Sequence, residues 1–287
     1  MVLEQLYPVD FLKENPKYAF ILSLALTVFG VFFAMVVFPN DPALVIVAMA
    51  STLLIPSLYQ FTVFEEELHG KVAEAIDYKD YIMEWINSNK KLFMVYMYMF
   101  FGAFFVFAFF SMFLPRLAAN QLFRQQLAVL TGGASFQLSL FWSLLTHNFQ
   151  VLMLCFIVSL IAGNGSIYLI IWNASVWGTI FGNLAKTTAM NLSGSTAILF
   201  LLIMLSVFPH VFLEMASYVI AVMSGTVLSN AIAREKLASA RFGKILVLNM
   251  IVLATALLVL VIAVAVETYV LNNFTTYQTI IQLSFGV

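Results

Sequence analysis

Charge is what this chain has least of. Only 9% of its 287 residues are Asp, Glu, Lys or Arg, against roughly a quarter in an ordinary water-soluble domain. A soluble fold of this size could not hydrate its surface with so few ions, so that class is excluded. Net charge is −1, which excludes the strongly basic surface that a nucleic-acid partner requires. There is a single cysteine, Cys155, inside an apolar run. No disulfide can therefore form within the chain, and Cys155 reads as a small core side chain. A phosphate loop, a cofactor fingerprint and a Ser/His/Asp pattern are also missing.

What fills the sequence instead is hydrocarbon, with 63% of residues apolar. Lipid has to be the solvent for most of them. Seven runs have the length or composition of a span: Tyr18–Phe38, Ala43–Phe64, Leu92–Leu114, Leu138–Ala162, Ile167–Phe181, Thr196–Leu228 and Ile245–Leu271. A hydrocarbon core of about 30 Å needs about 20 helical residues. The first run follows Lys13 and Lys17, exceeds the length of a signal-peptide core and lacks a small-x-small cleavage site after it. It is expected to be retained.

The sixth run, 33 residues from Thr196 to Leu228, carries Pro209 in its middle. Proline removes a backbone donor and favours a kink, so this span is expected to be one Pro-broken or strongly tilted crossing, with a re-entrant first half as the alternative. Charge tests the count. With the N-terminus in the cytoplasm, seven crossings leave Lys13, Lys17, Lys71, Lys79, Lys90, Lys91, Arg234, Lys236, Arg241 and Lys244 inside. Only Arg116, Arg124 and Lys186 fall outside. Ten against three of the 13 basic residues is the asymmetry of the positive-inside rule. The fold class expected is all-α, a polytopic transmembrane helical bundle of about seven spans in the cell membrane.

Between the second and third runs, Glu65–Lys91 spaces Leu68, Val72, Ala75, Ile76, Ile82, Met83 and Ile86 close to a helical repeat. It reads as a cytoplasmic amphipathic helix whose start, Glu65-Glu66-Glu67, suits the positive end of the helix dipole. His69 beside it reads as a surface residue. The division is then two spans over 1–64, this helix over 65–91 and a transmembrane core over 92–287. The segment Pro115–Gln137 ends in a Thr131-Gly132-Gly133 turn.

Ionisable groups within a span normally face the protein interior, because lipid solvates them badly. The core has two such places: His147 beside Asn148 in the fourth run, and His210 with Glu214 in the sixth. Glu267, near the end of the last run, is expected to reach the headgroups. His210 and Glu214, four apart, share a helix face, continued by Ser217, Ala221, Ser224 and Gly225. At about 1.5 Å per residue His147 lies about 14 Å and His210 about 21 Å from the outer edge, so the two can meet at similar depth. Asn173 supplies a further wall, Gly163-Asn164-Gly165 an inner turn, and Gly178 with Gly182 a small pair for helix contact. A polar centre of His147, Asn148, Asn173, His210 and Glu214 is expected. Three chemistries are open for it: a hydrogen-bonded cluster that fixes helix register, a divalent-metal site such as zinc on His147, His210 and Glu214, or a protonatable relay in a transporter.

Thr146-His147-Asn148, Gly163-Asn164-Gly165, Trp172-Asn173-Ala174 with Gly178, and Phe208-Pro209-His210-Val211-Phe212-Leu213-Glu214 together resemble the stage II sporulation protein M family of bacteria and archaea. Its members carry an Asn-Asn pair opening one span, an Asn-Gly in the next, and a Pro-His-Gly-x-x-Glu helix later. Here His147, Ala174 and Val211 depart from that pattern. The resemblance runs from Phe141 to Ser229. It implies a membrane protein that acts in an envelope complex, as bacterial relatives do with peptidoglycan-degrading partners, and so a scaffold rather than an enzyme. A transporter or a metal-dependent intramembrane hydrolase using His147, His210 and Glu214 is the alternative.

Overall fold

Lipid offers no partner for a backbone N–H or C=O, so a chain this apolar satisfies them locally, in helices. The computed structural model describes residues 12, 14–40, 42–72, 78–128, 139–236 and 238–285, with the backbone alone for 59–72, 78–86, 88, 139, 241 and 285. Among these the regular elements are helical: α1 (Tyr18–Val37), α2 (Pro42–Val72), α3 (Tyr78–Phe113), α4 (Arg116–Leu122), α5 (Arg124–Ala128), α6 (Ser139–Ala162), α7 (Ile167–Leu192), α8 (Thr196–Arg234), α9 (Ala240–Asn273) and α10 (Thr275–Phe285).

Five stretches are long and apolar enough to cross a membrane: Tyr18–Val37, Asn89–Phe113, Leu140–Leu192, Thr196–Arg234 and Phe242–Asn273. Pro42–Leu58 is a shorter apolar helix beside them. The 53 residues of Leu140–Leu192 would reach about 80 Å as one straight rod. They are instead α6 and α7, divided by a 3-10 turn at Gly163–Ser166. The turn begins at Gly163 with φ of +53°, a left-handed conformation that only glycine adopts freely.

Two sequence expectations change here. The sixth span is not broken: α8 runs without interruption through Pro209 for 39 residues. A proline forfeits a single backbone bond, and α6, α7 and α9, packed around α8, hold the rest of the ladder. The fifth span is not short either, since α7 continues past Phe181 to Leu192. Its polar last turns end a hydropathic run but not a helix, because Lys186, Thr188 and Asn191 all find partners in neighbouring elements. Of the segment Glu65–Lys91, residues 65–72 extend α2 and residues 78–91 belong to α3. The side chains of its acidic start and apolar stripe lie outside the described residues, as does the Thr131-Gly132-Gly133 turn.

Helix α3 is the centre of one half of the bundle, packing on α1 and α7; α8 is the centre of the other, between α6, α7 and α9. Tyr96, Phe100, Phe104 and Phe107 form a fully buried stripe on α3. Their rings meet Trp177 at 5.7 Å, Phe181 at 6.3 Å and Phe123 at 5.9 Å. Gly178 and Gly182 are the small pair expected of α7. A Cβ on Gly178 would run into the Phe104 carbonyl oxygen, and one on Gly182 would sit 2.6 Å from that of Ala108. The two backbones can touch only without side chains there. Serine hydroxyls tie the same contacts: Ser23 donates to Met99 O at 2.6 Å and Ser111 to Thr179 O at 2.8 Å.

Polar side chains also gather the chain's turns at one end of the bundle. Gln121 Nε2 donates to Pro39 O at 2.6 Å, joining α4 to the α1–α2 turn. Lys186 Nζ donates to Leu114 O at the C-terminal end of α3, where a cation complements the helix dipole. Thr188 donates to Ile280 O at 3.0 Å and Asn191 to Leu283 O at 2.6 Å, docking α10 across the end of α7. The Gly163–Ser166 turn sits at the far end, where the Tyr96 hydroxyl meets Asn164 Oδ1 at 3.5 Å.

Candidate functional site

Helix α8 supplies most of the site. Its helical repeat turns His210, Glu214, Ser217, Tyr218, Ala221, Ser224 and Gly225 inward together, and all are buried. The lower half of this face is a packing surface. A Cβ on Gly225 would collide with the Ser159 hydroxyl of α6, and the Ser224 hydroxyl donates to Asn249 O of α9 at 2.9 Å. The upper half is polar. The Tyr218 hydroxyl donates to Glu214 Oε1 at 2.8 Å, and the Ser217 hydroxyl donates to the Glu214 carbonyl at 2.6 Å.

Glu214 is therefore partnered one turn further along its own helix, by a tyrosine. His210 and Glu214 are each only 5% exposed, yet His210 Nδ1 has no hydrogen-bond partner.

The second acid of the site is Glu267 of α9, and here the sequence expectation is corrected. Glu267 does not reach for headgroups; its Oε2 is buried and without a hydrogen-bond partner. Glu214 and Tyr218 of α8 lie within electrostatic reach of it. Tyr277, 6% exposed on α10, also lies within electrostatic reach of it. Burial pushes the Tyr277 phenol up, and the neighbouring Glu267 carboxylate adds to the shift. Cys155, fully buried on α6, closes the site next to Tyr218. The centre thus brings together His210, Glu214, Tyr218, Glu267, Tyr277 and Cys155 from four helices.

The other expected members differ in burial. Asn148 is buried, on the α6 seam that also carries Leu152, Cys155 and Ser159. His147, one residue earlier and so about 100° round that helix, is exposed. Asn173 is half-buried, and its Nδ2 donates to Leu169 O within α7 at 2.8 Å. Among the described residues no group of three or more His, Cys, Asp or Glu side chains is placed to hold a metal ion, so His147, His210 and Glu214 are not gathered as a ligand set.

Tyr218 and Tyr277 had one available signal. Tyr218 follows Glu214 by four residues, the spacing used to pair His210 with Glu214. The Tyr277–Glu267 proximity depends on α10 folding back, which no local spacing encodes.

The arrangement is that of a multi-helix membrane protein whose helices meet around a buried acid, Glu214, bonded to Tyr218, and a half-buried one, Glu267. The family profile of Stage II sporulation protein M matches residues 92–270, from α3 to the last turn of α9, and the chain belongs to that family. No curated protein and no solved structure matches it significantly.

Proposed function

We propose that this chain is a multi-pass scaffold in the cell membrane, a component of an envelope complex, whose buried polar centre is structural. In this reading α1, α2, α3, α6, α7, α8 and α9 each cross once, with the N-terminus in the cytoplasm. The ten-to-three division of basic residues supports that orientation. The gathering of Pro39, Leu114, Gln121, Lys186 and α10 at one end supports the alternation of the crossings. Residues 1–64 add two spans to a core over 92–287, and 65–91 form the cytoplasmic face between them. Its partners are the lipid bilayer and other envelope proteins, with no nucleic acid.

The observation that carries the structural reading is the Tyr218–Glu214 bond. An acid whose oxygen is already engaged by a tyrosine of its own helix acts as a packing element, and further along the same face the Ser224 hydroxyl, bonded to Asn249 O, fixes the rotation of α8 against α9. Glu214→Gln tests it. The amide oxygen can accept from Tyr218 as the carboxyl does, so a structural centre keeps its fold and its complex. Loss of function at unchanged expression and thermal stability would reject the structural reading.

A second reading, a proton relay in a transporter, draws on two atoms: His210 Nδ1 and Glu267 Oε2, both buried and unpartnered. It expects Glu267→Gln to abolish pH-driven uptake in vesicles, and the scaffold reading expects no such uptake. Stoichiometric zinc retained by the wild type and lost in both His210→Ala and Glu214→Gln would overturn both in favour of a metal site.

A further inference from the structure

Helix α6 shows the membrane a face that lipid cannot satisfy. Its buried seam, Asn148, Leu152, Cys155 and Ser159, packs against α8 and α9. On the opposite side Ser143, His147, Gln150, Leu154, Ile157 and Ile161 are all exposed. Their spacing is four, three, four, three and four residues, the 3.5-residue repeat of a coiled-coil seam. Gln150 lies eleven residues from Ser139 and twelve from Ala162, in the middle of the helix. Neither it nor His147 makes a hydrogen bond to another described residue. Side chains in the same outward position on α8 and α9 are apolar: Leu201, Leu205 and Phe208 on one, Leu258, Val261 and Ile262 on the other. An amide facing hydrocarbon at mid-bilayer forgoes the hydrogen bonds that it has in water. A partner helix supplies them.

We propose that this face of α6 is a homodimer interface, covered by α6 of a second copy of the chain. The bilayer itself selects the symmetry. Two copies inserted with the same topology are related by an axis along the membrane normal, so their α6 helices run parallel and each seam residue meets its own counterpart. That geometry requires self-complementary groups. Gln150 has them, since a primary amide offers both a donor and an acceptor to an identical amide. Neutral His147 likewise carries one of each. Leu154, Ile157 and Ile161 continue the seam below with aliphatic knobs. A different partner would not need the face to match itself. The dimer goes beyond the scaffold reading and stands independently of it.

Disulfide cross-linking of the full-length protein in native membranes tests the pairing, because the native Cys155 is fully buried and silent. Gln150→Cys and Ile157→Cys should each give a covalent dimer under mild oxidation, while Leu205→Cys and Leu258→Cys remain monomeric. The companion measurement is the monomer–dimer equilibrium of reduced protein diluted in lipid. Gln150→Leu should weaken it roughly three- to ten-fold, as expected for an interhelical amide pair, with Gln150→Asn close to wild type. The proposal fails if neither seam cysteine cross-links, or if both cross-link no better than Leu258→Cys. It also fails if the products contain a different protein, or if Gln150→Leu leaves the equilibrium unchanged.

Discussion

Tyr218 and Glu214 sit one turn apart on a single helix, and the tyrosine hydroxyl donates to Oε1 at 2.8 Å in a place where neither is reached by solvent. Tyr218→Phe keeps the ring and deletes the donor, leaving a buried carboxyl oxygen unpaired. We expect a loss of about 1–3 kcal/mol in unfolding free energy. In a double-mutant cycle the loss should vanish when Glu214 is already leucine. Equal losses in both backgrounds would show that the bond contributes nothing.

Gly178 faces the Phe104 carbonyl oxygen closely enough that one methyl group has no room. Gly178→Ala should force α7 away from α3 and lower thermal stability by an amount typical of overpacking, about 1–3 kcal/mol. Gly194→Ala is the control. It meets only the tip of Leu199, at 3.9 Å, and the Leu192 Cβ, at 4.0 Å, so it should cost little by comparison. Comparable melting temperatures for the two variants would contradict the close approach.

A membrane-impermeant thiol reagent reads the proposed orientation. Cysteines at Asn87 and Ser239 should label only after the cytoplasmic side is opened, and cysteines at Gln125 and Thr276 should label in intact cells. Labelling of Ser239→Cys from outside would reverse the assignment.

Helix α10 is held by Thr188 and Asn191 and brings Tyr277 near Glu267. A Glu267→Cys variant should resist thiol reagents in the full chain. It should become reactive when residues 275–287 are deleted, or when Thr188 and Asn191 are both alanine. If reactivity does not change, the cover is not α10.

Much of this fold was legible in composition and run length. The seven apolar runs begin or centre on helices that exist, and the inward face from His210 to Gly225 followed from a helical repeat. Pro209 misled because one missing donor says nothing about the helices packed around it. The end of α7 misled because hydropathy falls at Asn183 and Lys186 although the backbone stays helical; their neighbours lie far off in sequence. His147 was assigned to the centre on the strength of depth alone, and it is exposed where its neighbour Asn148 is buried. Depth does not fix azimuth, and adjacent residues on a helix point about 100° apart. Glu267 was taken for a headgroup residue because it stands near the end of its run, and only the return of α10 makes that position an interior.

Helices α6 and α7 are neighbours in sequence but meet mainly at their turn, while α8 packs against both. Synthesis therefore reaches Leu192 with α6 and α7 complete and the surface that should join them still in the ribosome. Until α8 arrives, Asn148, Ser159 and Cys155 lack the helix that buries them. The nascent protein must wait in an open form, and a chain that stalls before Arg234 has no way to close. Quality control in the membrane should find its target there: truncations ending between α7 and α8 degrade fast, and those ending after α9 persist.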